Sequence, residues 1–95
     1  MDRLLDLVLS FYREEPEVKE LLQPLRLCKF QRSWGSITLD CLDATHLQEV
    51  SVLISFLETP FAALGLCKEI ILRAPGLPKR QYLVKTLHFS SDQFT

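Results

Sequence analysis

The feature that most constrains this chain is a change of apolar rhythm at Asp43. From Ser36 to Leu42 polar and apolar residues alternate, in the order Ser36-Ile37-Thr38-Leu39-Asp40-Cys41-Leu42. A period of two sends successive side chains to opposite faces, so this stretch reads as a strand with one face on a core. From Ala44 to Glu58 the apolar residues Leu47, Val50, Leu53, Ile54 and Leu57 recur three or four apart, which is one face of a helix. Asp43 ends the strand and opens the helix. A β-ribbon lying against a long helix follows from these two patterns.

The ribbon needs a partner strand, and Ser33-Trp34-Gly35 supplies a turn, with Gly35 able to take positive φ. Closing the hairpin from Gln31 to Ser36 pairs Phe30 with Ile37 and Cys28 with Leu39, and places Leu27 and Lys29 on the outer face opposite Asp40 and Thr38.

Upstream, Leu4, Leu5, Val8, Leu9, Phe11 and Tyr12 predict a helix over residues 2–14 with Asp2 as its N-cap. Pro16 stops it by Glu15, because the residue before a proline is pushed out of the helical region. Residues 16–23 then predict a second, short helix, with Val18, Leu21 and Leu22 on one side and Glu17, Lys19 and Glu20 on the other.

Downstream, Thr59-Pro60 reads as an N-cap followed by proline at the first helical position, giving a separate short helix over 60–66 that ends at Gly65. Residues 68–73 predict a third strand, with Ile70 and Leu72 on one face and Ile71 on the other. Ala74-Pro75-Gly76-Leu77-Pro78 breaks the chain. Residues 81–89 predict a fourth strand and 90–95 a tail. The expected fold is a small two-layer α+β domain over residues 1–89, in the order α-α-β-β-α-(short α)-β-(β), with an antiparallel hairpin and an added strand packed against helices.

Size and composition suit that fold: 95 residues, 47% hydrophobic and 24% charged, suffice for one core. A formal net charge of -1 creates no global field toward nucleic acid or an anionic membrane. No apolar run approaches the roughly 18–20 residues of a membrane span, and Asp2 and Asp6 spoil a secretory leader. The expected setting is cytoplasmic.

The candidate sites are few. Cys28, Cys41 and Cys67 fit neither a zinc ribbon nor a C-x-x-C pair, and read as reduced core residues. His46 and His88 lack metal-ligand spacing, and His46 reads as an exposed or capping residue in the first turn of its helix. A Cys41–His46 nucleophilic pair has no motif around it. The three glycines stand apart, so no phosphate loop forms. No catalytic, cofactor or metal residue is assigned, and the chain is read as non-enzymatic.

Binding is better represented. Trp34, at the hairpin tip, is either folded back over the sheet or offered to a partner. Glu17 and Glu20 line an acidic face of the second helix. Lys79, Arg80 and Lys85, near Tyr82 and His88, form the one basic and aromatic segment, and suggest nucleic-acid contact as an alternative. They serve equally as guards of an edge strand.

The order helix, helix, hairpin, long helix, strand resembles the amino-terminal interaction domain of the bacterial replication initiator DnaA. In that likeness Leu22-Gln23-Pro24-Leu25 leads to the strand around Ile37–Leu42 and the helix from Ala44. The resemblance spans about residues 4 to 74, implies a KH-like fold and a protein-binding role, and carries no individual residue. The expected function is a small interaction or regulatory protein that binds another protein or itself, a homodimer included, through Trp34, Glu17 and Glu20.

Overall fold

The computed structural model describes residues 3–84. In chain order it contains α1 (Arg3–Phe11), α2 (Pro16–Leu21), a 3-10 helix (Gln23–Leu27), β1 (Lys29–Ser33), β2 (Ser36–Asp40), α3 (Ala44–Ser51), α4 (Ile54–Ala63), β3 (Glu69–Arg73) and β4 (Arg80–Leu83). The strands form one mixed sheet in the order β1-β2-β3-β4. β1–β2 and β3–β4 are antiparallel, and β2–β3 is parallel. The parallel step requires a crossover, and α3 and α4 supply it. The α+β architecture expected from the sequence is the one observed.

Alternation sorts the sheet. Phe30, Ile37, Leu39, Ile70 and Leu72 point into the helical layer and are buried. There they meet Val8 of α1, Leu22 and Leu25, Leu47 and Val50 of α3, and Leu57 and Phe61 of α4. Each such side chain contributes roughly 1.5–3 kcal/mol of burial free energy. The opposite face carries Lys29, Gln31, Thr38, Asp40, Glu69, Ile71, Arg73, Gln81 and Leu83, none of them buried. Among the described residues, nothing covers it.

Several expectations are corrected. The hairpin loop is two residues, Trp34-Gly35, rather than three or more, because Ser33 pairs with Ser36. The register is therefore Phe30↔Leu39, not Phe30 with Ile37, and Lys29 faces Asp40. A slip of two residues preserves every side chain's face, which is why the predicted core face survived the wrong register. Gly35 alone of the two loop residues has positive φ, +68°, the sign pattern of a type II turn. Leu27 lies in the 3-10 helix instead of the outer strand face.

The first helix ends at Phe11 and the second at Leu21. Residues 44–58 do not form one helix. α3 stops at Ser51, whose hydroxyl donates to the Gln48 carbonyl (2.8 Å), and short backbone bonds from Leu53 to Val50 and from Phe56 to Leu53 tighten the junction.

Pro60 does not begin a separate helix. It lies inside α4, and Thr59 is mid-helix, its hydroxyl facing the Ser55 carbonyl (3.5 Å). A proline removes the N–H that would reach the carbonyl four residues back, here Phe56. The Tyr12 hydroxyl fills that gap, donating to the Phe56 carbonyl at 2.7 Å. The Tyr12 and Phe56 rings also meet edge to face with centroids 6.0 Å apart, so α1 docks on α4 where α4 lacks its own bond.

Candidate functional site

The β1–β2 ribbon has two ends of opposite character. At the turn, Trp34 is 99% exposed. Its position is nonetheless held: the Gly35 carbonyl accepts from the N–H groups of Lys68 (2.7 Å) and Glu69 (3.2 Å), tying the turn to the start of β3. Arg32, Ser33, Gly35 and Leu66 border a cleft of about 520 Å³ beside the indole. Across the open face, Ser33, Ser36, Glu69 and Leu83 fall in one register row, and Leu83 is 78% exposed. An indole, a leucine and an arginine thus share one end of the sheet.

At the other end the chain closes on itself. Lys29↔Asp40 is the last pair of the ladder, and Cys28 and Cys41 stand one step beyond it. Asp43 caps α3 by accepting from the His46 N–H (2.8 Å). The His46 ring turns back over this corner and is 4% exposed. Its Nδ1 accepts from the Leu42 N–H (2.9 Å), so the proton of the neutral ring is assigned to Nε2, which donates to the Pro24 carbonyl (2.8 Å). Both nitrogens are spent on backbone groups. The expectation of an exposed His46 is corrected, while its place in the capping region of α3 stands.

The Cys28 and Cys41 sulfurs and a His46 ring nitrogen all lie within 4.8 Å of one another, with Cys28 Sγ 4.0 Å from Nε2. Burial pushes both thiols above the ordinary cysteine range; Cys41 and Asp40 raise Cys28 further, while the hydrogen bond with Cys28 partly offsets the rise at Cys41. A metal-ligating imidazole donates through one nitrogen and coordinates through the other. Here Nδ1 is held as an acceptor, so coordination at Nε2 would break the bond to Pro24 and move the ring proton to Nδ1, where it would face the Leu42 N–H. The three residues lie close enough together to hold a metal ion, with both imidazole nitrogens engaged by backbone groups.

The remaining predicted residues are not gathered with Trp34. Glu17 and Glu20 are exposed on α2, which packs against the 3-10 helix at the far end of β1. Lys79 and Arg80 are exposed, and Arg80 pairs with Leu72 at the end of the sheet away from the turn. Lys85 and His88 lie outside the described residues, as does the remainder of the strand expected over 81–89. The open face holds one network that sequence reading missed. Asp40 accepts from Arg73 Nε (2.8 Å) and Nη2 (3.1 Å) and from Gln31 Nε2 (2.8 Å). Its signal, an alternating polar face on three strands, was legible only with the register in hand.

No family model matches this chain, and no curated protein or solved structure matches it. No helix among the described residues is long and apolar enough to cross a membrane.

Proposed function

We propose that this chain is a small non-enzymatic interaction module that docks another protein, or a second copy of itself, on the Trp34 turn. One observation carries the reading: a tryptophan almost wholly in solvent on a turn fixed by two backbone hydrogen bonds. Exposing an indole forgoes a large burial gain, and tryptophan is the residue most enriched among binding hot spots. A turn already held in place loses little entropy when a partner closes over it. Arg32 and Leu66 border the cleft beside the indole with the mixed apolar and cationic rim such an anchor uses. The non-enzymatic part of the reading is supported by His46, whose two nitrogens are engaged by backbone, and by thiols that burial keeps protonated.

The test compares wild type with Trp34→Ala. Truncation should weaken partner capture, or self-association measured by light scattering, by at least about tenfold. Equal capture and equal mass for the two chains would exclude the turn as the docking surface.

A further inference from the structure

The corner opposite the turn holds a second kind of chemistry. Extending the β1–β2 register by one step sets Cys28 directly opposite Cys41. Their N–H groups point elsewhere, Cys28 to the Leu25 carbonyl (3.1 Å) and Cys41 to the Arg73 carbonyl (2.7 Å). The pair therefore occupies a non-hydrogen-bonded position, where opposed Cα atoms of antiparallel strands approach to about 4.5 Å. That separation lies at the short end of the range a disulfide can bridge, roughly 4.4–6.8 Å. Alternation sends both side chains to the same face, and their sulfurs lie within 4.8 Å of each other. With His46 committed to Leu42 and Pro24, the cluster reduces to a facing pair of thiols.

We infer that Cys28 and Cys41 are a modification site that closes a reversible intramolecular disulfide on reaction with a low-molecular-weight disulfide of the glutathione type. Cys28, the more accessible of the two, loses its proton, attacks one sulfur of the small disulfide and expels one small thiolate, giving a mixed disulfide. Cys41 then loses its proton and attacks the Cys28 sulfur, expelling the second small thiolate. The two protein thiols give up two electrons and two protons, and the oxidant leaves as two thiols. Because burial holds both thiols protonated, exchange runs through a minor thiolate population and is slow. Cys67 is buried apart from this cluster and has no cysteine facing it, so it serves as an internal control.

The experiment uses the full wild-type chain, reduced and then exposed to oxidised glutathione. Intact mass should fall by two hydrogens, with no glutathione retained. Peptide mapping should join residue 28 to residue 41, and Cys67 should alkylate after denaturation. The thermal midpoint should rise, and dithiothreitol should return both mass and midpoint to the starting values. Cys41→Ser should instead retain a glutathione adduct on Cys28. Two free thiols at 28 and 41 under these conditions, or pairing of either with Cys67, would overturn the inference. So would tight binding of Co²⁺ to the reduced chain with thiolate charge-transfer bands and loss of the His46 contacts, since that would make the cluster a metal site.

Discussion

The two ends of the β1–β2 ribbon are built from the same local ingredients, and the fold spends them differently. At the turn an indole stands in solvent while the backbone beneath it is pinned by Lys68 and Glu69. At the other end a histidine is buried and every polar atom it offers is taken by backbone. No buried side-chain nitrogen or oxygen among the described residues lacks a partner. A buried group with all its bonds inside the chain serves the fold, whereas the exposed indole contributes little to it, and the proposed docking role rests on that difference. Stability should therefore respond at the closed corner and binding at the turn.

That division can be broken most directly at His46. His46→Ala strips the buried Leu42 N–H and Pro24 carbonyl of their partners and leaves a cavity. Urea unfolding should show a loss of about 2–4 kcal/mol. A loss below about 1 kcal/mol would mean that water replaces the ring and the corner is not closed.

The buried thiols sharpen the comparison through pH. Cys67, behind the turn, is raised by burial from 9.0 to about 11, with the Glu69 backbone hydrogen bond and Arg32 partly offsetting the shift. Between those values the unfolded chain has released this proton and the folded chain has kept it. Stability is then full below about pH 9, falls as pH rises, and levels off near pH 11, a decline on the order of 2 kcal/mol. In Cys67→Ala that part of the slope should vanish from denaturant midpoints measured across the window.

Smaller effects are expected at the turn. Gly35→Ala meets no neighbouring atom within 4 Å, so its cost is the φ of +68° alone, about 1 kcal/mol. It should also weaken partner binding, because the strain falls on the residue that holds Trp34 in place. Trp34→Ala should change stability least, within about 0.5 kcal/mol, as at other surface positions. A larger loss would show the indole serving the fold. The Asp40–Arg73 pair is 29% and 48% exposed, and Arg73→Ala should leave only a slight, salt-screened change in the thermal midpoint.

Much of the fold was legible in advance because its signals are local. The switch at Asp43, the alternating faces of β2 and β3, and the position of positive φ at Gly35 each depend on a few adjacent residues. The candidate site was legible in one residue, Trp34, but not in its exposure. Glu17, Glu20, Lys79 and Arg80 were read correctly as surface and proved distant from it. The Cys28–Cys41 pair was hidden by a two-residue error in register, which set Cys28 opposite Leu39.

What the sequence determined by itself is therefore which side of each element faces the core, since periodicity is a property of the strand or helix alone. What the tertiary structure decided is which groups from distant stretches complete one another. Pro60 can sit within α4 because Tyr12, 44 residues away from Phe56, supplies the missing donor. His46 is buried because Pro24 and Leu42 meet both of its nitrogens. Burial of a polar group is permitted only when a partner arrives, and the arrival is settled by the packing of the whole chain.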